Sequence, residues 1–206
     1  MIVLKKIASD ALGLSDVGTI ISKEDYDKTD ADDYVMHEDG EQIYFLIKTK
    51  ADEYCFTNLA VIHVDGESAV SSKRVLKRYP YAQHKISNVM LETAGKIDLD
   101  VEIKFTIGNI PFDIDVKKSQ IEQLKDLYKA LVRISEINYE NELALGFSNQ
   151  SLDRAVQSIQ SSRSEEASVF ESYKGIAEFT FEWLKTNKAQ YSVKDFGDVY
   201  EKYINN

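Results

Sequence analysis

The side chains best suited to chemistry in this sequence are one thiol and three imidazoles. Cys55 is the single cysteine, and the histidines are His37, His63 and His84. Zinc sites need paired Cys or His ligands a few residues apart, and the sequence has no such pair. Cys55 lies in a short apolar segment, where a small buried thiol is the commoner role. A Cys–His pair for nucleophilic catalysis stays open, because such pairs assemble from residues distant in sequence.

Three carboxylates alternate along one predicted strand, at Asp98, Asp100 and Glu102. Alternate residues on a strand lie about 6.6–7 Å apart, whereas calcium requires oxygen ligands within about 2.6 Å of one ion. The neighbouring Lys104 and Lys117 offset part of the charge. We therefore expect these acids on the water-facing side of a sheet, and we predict neither a metal site nor a cofactor.

The densest group of positive charge consists of Lys73, Arg74, Lys77 and Arg78. Such a cluster could bind an anionic ligand or a lipid headgroup. The competing interpretation is a solvated face, because the whole chain carries 35 acidic against 25 basic residues and a net charge of −10. That acidic excess argues against a nucleic-acid partner and against attraction to an anionic membrane.

No recognised catalytic fingerprint is present: the sequence lacks a nucleophile elbow, a P-loop and a dinucleotide-binding motif. We therefore predict that the protein is not an enzyme. The first residues become charged too early for a signal peptide, and no apolar run approaches the roughly 18 residues of a membrane span. With one cysteine, which fits a reducing compartment, these features predict a cytoplasmic protein.

Among the secondary-structure elements that must position these groups, a β-hairpin has the clearest sequence pattern. Apolar residues occupy the odd positions from Ile97 to Ile107 and the even positions from Ile110 to Val116, as in strands with one buried face. Gly108-Asn109 between them suits a type II′ turn. The predicted cross-strand pairs are Ile107 with Ile110, Phe105 with Phe112, Ile103 with Ile114, Val101 with Val116, Lys104 with Asp113 and Asp100 with Lys117.

Five further short apolar segments precede this hairpin, at residues 43–47, 54–57, 59–64, 75–81 and 85–94. Together they predict about seven strands at short intervals, as in a small sandwich or barrel. Residues 4–12 predict a helix ended by Gly13. Residues 23–40 show no period and predict irregular or edge structure.

The chain then becomes helical. Ser119 and Glu122 form a capping box, and an apolar stripe from Ile121 to Val132 predicts an amphipathic helix that closes a first domain at residues 1–137. Residues 138–206 predict a helical extension with helices near 138–164, 165–188 and 192–204, and with a polar hinge at 160–164.

Several local motifs give this sequence a family resemblance over residues 1–137. Phe56-Thr57-Asn58 precedes a strand, Lys73-Arg74 leads to Tyr79-Pro80-Tyr81, and Glu92–Asp100 enters the hairpin. These motifs resemble the bacterial pleckstrin homology (PH) domain family, and the tail is similar to the oligomerisation region of its YvbH-like subset. The resemblance implies an α+β fold: a seven-stranded PH-like sandwich or barrel capped by a helix, followed by a helical tail. It implies a scaffold and no reaction.

The tail is rich in aromatic residues that lie on more than one helical face. A two- or three-helix tail has little core of its own, so these rings need a partner surface on the preceding domain or on another subunit. We favour self-association, which predicts a non-catalytic, homo-oligomeric assembly or interaction protein; the alternative is an anionic-ligand module. The candidate oligomer interface comprises Phe170, Tyr173, Ala177, Phe181, Trp183 and Leu184. The subunit number and the physiological partner stay open at this point.

Overall fold

A computed structural model describes residues 16–66, 74–93, 100–161 and 169–204; the side chains of residues 158–161 and 169–173 are not part of that description. The predicted helix at residues 4–12 lies outside the described residues. So do Lys73 of the basic cluster and Asp98 of the acidic strand.

In the described part of the chain, the first sheet has five antiparallel strands in sequence order. Their bounds are β1 Thr19–Ile20, β2 Ile43–Lys48, β3 Glu53–Thr57, β4 Ala60–Gly66 and β5 Arg74–Pro80. Every residue of β2 is buried, as expected for the centre of a sheet covered on both faces. β1 is the short strand that the sequence pattern did not predict.

The second sheet contains the predicted hairpin and one further strand, in the order β6-β7-β8. These strands span Ile86–Glu92, Asp100–Ile107 and Ile110–Lys117, and each predicted cross-strand pair is confirmed. Gly108 has a φ of +62°, whereas the only described non-glycine residue with positive φ is Asn88. The turn is therefore of type II′, because only its first central residue is left-handed.

The two sheets enclose an apolar core between them. The Phe105 and Phe112 rings stack at 4.9 Å between centroids, and Phe105 meets Phe56 of the first sheet at 5.8 Å. Gly18 joins the sheets at one edge: its N–H donates to the Asp115 carbonyl at 2.7 Å. A Cβ at this position would lie 2.7 Å from that same oxygen, so the close approach requires glycine.

The described residues after the sheets form three α-helices: α1 Ile121–Ser161, α2 Val169–Gln190 and α3 Gly197–Ile204. The first part of α1 buries its predicted apolar stripe against the sheets, including Leu124, Leu127 and Leu131. The prediction of a new helix after Ile137 is wrong, because α1 continues unbroken for 41 residues. No proline interrupts that stretch, and one interior glycine is tolerated in a helix. Residues 23–40, predicted as irregular or edge structure, hold three short 3₁₀ helices.

The chain divides into two compact units. The β unit comprises the described residues up to Ser135 together with the segment from Lys194 onward, and the helical unit is Glu136–Val193. The final segment, which contains α3, thus packs with the sheets: Phe196 and Tyr200 are fully buried there. The division into domains at residues 1–137 and 138–206 stays a prediction.

Candidate functional site

The helical unit is an antiparallel hairpin formed by the second half of α1 and by α2. The Trp183 indole N–H of α2 donates to the Ser148 hydroxyl of α1 at 3.1 Å. Nearer the C-terminal end of α1 and the N-terminal end of α2, small and apolar side chains line a shallow groove of about 240 Å³. Its lining residues are Leu152, Ala155 and Val156 of α1 and Gly175, Ile176, Phe179 and Thr180 of α2.

This hairpin has no core in its described part. None of the described side chains between Glu136 and Val193 is buried, whereas the first part of α1, in the β unit, buries several. In proteins, most helical stability comes from packing an amphipathic face rather than from helix propensity. The apolar side chains of the helical unit are therefore available to a partner surface.

The six predicted interface residues on α2 fall into three groups. Ala177, Phe181 and Leu184 stand at i, i+4 and i+7 and are all exposed, with Phe181 at 65%. Trp183 instead turns toward α1, where it makes the bond to Ser148. The side chains of Phe170 and Tyr173 lie outside the description. The structure thus brings three of the six onto one exposed stripe, and their role in an interface stays a prediction.

A second exposed apolar stripe, on α1, was not predicted from the sequence. Tyr139, Leu143 and Phe147 are exposed by 64%, 42% and 66% respectively. Their spacing at i, i+4 and i+8 places them on one face of the helix. That spacing is visible in the sequence. Leu152, Ala155 and Val156, which follow on α1, line the groove instead.

The described members of the basic cluster that was predicted to bind an anion each pair with a different carboxylate. Arg78 donates through Nη2 to both oxygens of Glu41, at 2.9 and 3.0 Å, and the Glu41 side chain is completely buried. The Thr57 hydroxyl and the Met36 N–H also donate to this carboxylate. Arg78 therefore serves as the counter-charge of a buried acid, which is a structural role.

The two other described members of the cluster have different partners. Lys77 Nζ lies 2.6 Å from Asp65 Oδ2, and this hydrogen bond raises the pKa of the lysine. Arg74 Nε lies 3.4 Å from Asp30 Oδ2. An anionic ligand at these residues stays a prediction, and it would compete with the three carboxylates that pair with these cations.

Two further candidates for chemistry, Cys55 and His63, lie in surroundings typical of residues with a structural role. Cys55 is fully buried among apolar side chains, and burial, with the charge of Glu53 next, raises the pKa of its thiol well above the usual value. His63 stacks on Tyr54 at 4.6 Å and pairs through Nε2 with Asp52 at 3.1 Å.

On the acidic face of β7, carboxylates pair with one lysine, Lys104. Lys104 Nζ lies 2.8 Å from Glu102 and 3.1 Å from Glu92, and these two hydrogen bonds raise its pKa. Within the described residues, no group of three or more His, Cys, Asp or Glu side chains is arranged to hold a metal ion.

Comparison with known proteins yields matches over both parts of the chain. A model of the bacterial PH domain family matches residues 11–135, and a model of the YvbH-like oligomerisation region matches residues 146–206. The uncharacterized protein YvbH of Bacillus subtilis (strain 168) is 68% identical over 202 residues, covering 98% of this chain and 99% of that protein. Protein YjqA of the same organism is 30% identical over 97 residues, covering 47% of this chain and 76% of YjqA.

A solved structure with the same architecture is the crystal structure of a PH domain containing bacterial protein from Exiguobacterium sibiricum 255-15. It superposes with a TM-score of 0.84 at 53% sequence identity, over 91% of this chain and 99% of that chain. None of the described helices is both long and apolar enough to cross a membrane.

Proposed function

The chain belongs to the bacterial PH domain family and carries a YvbH-like oligomerisation region, and on this premise we propose that it is a non-catalytic assembly protein whose copies associate through the helical unit. The β unit is then the PH-like scaffold that each copy contributes. This assembly operates in the cytoplasm, where the buried Cys55 persists as a free thiol.

The observation that carries this proposal is the hairpin with exposed rings and no core. Phe147 and Phe181, one on each helix, leave about two thirds of their surfaces in water. Burying a side chain of this kind contributes about 1.5–3 kcal/mol. Exposed apolar groups concentrated on one small unit typically mark an interaction site, and the matched oligomerisation region supports a second copy as the partner.

The connectivity of the chain supports the same role. The helical unit starts within α1, whose first part is packed in the β unit, and it ends before α3, whose Tyr200 is buried there. Both ends of the hairpin are therefore anchored to folded structure. Such anchoring reduces the conformational entropy that the hairpin would lose on association.

Light scattering of the full-length protein after size exclusion tests this proposal. We expect the wild type to have the mass of two or more chains, and we expect Phe147→Ser with Phe181→Ser to lower that mass. The matched control is Met90→Ser, which removes an exposed apolar side chain from β6 of the β unit and should leave the mass unchanged. A wild type with the mass of one chain, or a double variant with the wild-type mass, would overturn the proposal.

A further inference from the structure

We propose that the β unit carries a peptide-binding groove, and that the last segment of the chain occupies this groove in cis as a tethered ligand. The segment is residues 194–204, and the groove is formed by Tyr44, Asn58 and Tyr81. The partner that fits the groove is a short peptide of another protein. It carries an aspartate, a phenylalanine and a glycine in sequence, with a tyrosine three residues after the glycine. This inference concerns the β unit and does not depend on self-association.

The segment lies outside the sequence that matches the PH-like domain. The family model ends at residue 135, after both sheets and the first part of α1. The segment comes back to the β unit only after the whole helical unit, Glu136–Val193. It nevertheless packs with the sheets. Its relation to the β unit is therefore that of a ligand on a tether.

Asn58 binds the start of the segment as a receptor binds a peptide. Its side-chain Nδ2 donates to Asp195 Oδ2 at 2.8 Å, and its backbone carbonyl accepts from the Phe196 N–H at 2.9 Å. The other amide atom, Oδ1, accepts from the Gln42 N–H at 3.0 Å. Because this bond to the backbone next to β2 fixes the amide, the β unit itself orients the donor toward the segment.

Two rings of the segment enter the groove one helical turn apart. Phe196 and Tyr200 are 1% and 0% exposed, and the Tyr200 N–H donates to the Phe196 carbonyl at 3.1 Å. Tyr81 contacts both rings: it meets Phe196 edge-on at 5.4 Å, and its hydroxyl lies 2.5 Å from that of Tyr200. Tyr44 stacks on Tyr200 at 5.4 Å. Helical peptides that bind in grooves use anchors at this i, i+4 spacing.

Gly197 allows the segment to approach the groove closely. A Cβ built on it would lie 3.1 Å from the Tyr44 hydroxyl oxygen and 3.5 Å from the Asn58 Cβ, so a side chain here would crowd the groove. The Gly197 N–H also donates to Asp195 Oδ1 at 2.8 Å. One carboxylate oxygen thus closes the turn and the other binds Asn58. The recognised pattern is therefore the aspartate, the phenylalanine, the glycine and the tyrosine.

The tether keeps the groove closed to outside peptides in the resting chain. A tethered ligand competes at an effective concentration that a free peptide must exceed. Only Phe196 and Tyr200 are buried among the residues of the segment, and regions with few buried contacts open locally while the rest of a domain stays folded. Binding of an outside peptide therefore requires release of the segment, which makes the contact in cis autoinhibitory.

Binding of a synthetic peptide to the full-length protein tests the groove. The probe is a fluorescently labelled peptide of residues 194–204, followed by anisotropy. Phe196→Ala with Tyr200→Ala in the full-length chain removes both anchors of the segment and keeps the groove, so this variant should bind the probe at least about tenfold more tightly than wild type. Adding Asn58→Ala to that variant should weaken binding again. The matched control is the same peptide with both alanines, which should not bind.

Amide hydrogen exchange in the unmodified wild type gives a second readout that needs no variant. The N–H groups of Phe196 and Tyr200, both hydrogen-bonded, should exchange by local opening, faster than the amides of β2. An excess of the unlabelled peptide should speed their exchange further and leave β2 unchanged, because it captures the groove whenever the segment opens.

Three results would overturn the inference. The first is a released variant that binds the probe no better than wild type, or that binds the alanine peptide equally well. The second is exchange of the Phe196 and Tyr200 amides only together with β2. The third is a double variant that is unfolded by circular dichroism, because the segment would then be a required part of the fold rather than a ligand.

Discussion

The hydroxyl oxygens of Tyr81 and Tyr200 lie 2.5 Å apart in the interior of the β unit, although the two residues are separated by 119 positions. The Tyr200 ring also stacks on Tyr44 at 5.4 Å. Beside it, Phe196 meets Tyr81 edge-on at 5.4 Å. Buried rings and one buried polar contact thus anchor the last helix to the sheets.

Because the Tyr81 and Tyr200 hydroxyls interact, the effects of removing them on stability should depend on each other. Tyr200→Phe removes one hydroxyl and leaves that of Tyr81 buried without this partner, which should lower the free energy of unfolding by about 1–3 kcal/mol. Tyr81→Phe should have a similar effect, and the double variant should cost less than the sum of the two. Denaturant unfolding followed by circular dichroism measures all three. Additive losses would show that the two hydroxyls do not interact.

The neighbouring residues Lys77 and Arg78 should differ in their contribution to stability. Arg78→Met leaves the buried Glu41 carboxylate without its counter-charge, which should cost about 3–5 kcal/mol. Lys77→Met breaks the exposed pair with Asp65 and should cost at most about 1 kcal/mol. Chemical denaturation of both variants checks this contrast. Equal small losses would mean that Arg78 is not the essential partner of Glu41.

A pH-dependent effect is expected at Asp115. Desolvation raises the pKa of this carboxyl, and the charges of Glu102 and Asp100 add to the effect; Glu102 lies directly opposite in the sheet. Because the folded-state pKa is raised, the fold favours the protonated acid, and that contribution is lost as the pH rises through the folded pKa. Asp115→Asn should therefore stabilise the fold at pH 7 by about 0.2–1 kcal/mol.

Thermal unfolding at two pH values tests this prediction. The gain from Asp115→Asn should disappear below the ordinary carboxyl pKa of about 4. The matched control is Asp113→Asn, since Asp113 faces Lys104 at 3.7 Å and its removal should bring no gain. An equal gain at both pH values would rule out charge repulsion as its cause.

The thiol of Cys55 should be unreactive in the folded protein. Its side chain is fully buried, and the raised pKa keeps it protonated, whereas thiol reagents attack the thiolate. A colorimetric thiol assay should detect no reaction in native buffer and one thiol per chain in guanidinium chloride. Rapid reaction of the native protein would contradict the buried placement and would reopen a nucleophilic role.

The β-hairpin shows what local sequence patterns can determine. The alternation around Phe105 and Phe112 and the turn at Gly108 act between near neighbours, so a single register satisfies both. The apolar stripe at the start of α1 was predictable for the same reason, since its period of 3.6 residues identifies one face. Each of these signals lies within about 20 residues, and the structure confirms them.

The position of the final segment depends on contacts that no local pattern contains. The Asn58 amide donates to the Asp195 carboxylate at 2.8 Å across 137 positions, and Arg78 meets Glu41 across 37. The tertiary structure likewise decided which apolar stripe of α1 faces α2 and which faces water. From the sequence alone, the hairpin register, most of the strands and the helical character of the tail follow, because short-range periodicity determines them; the family resemblance rests on local motifs instead. Which side chains become buried partners and which remain exposed was decided only by long-range packing.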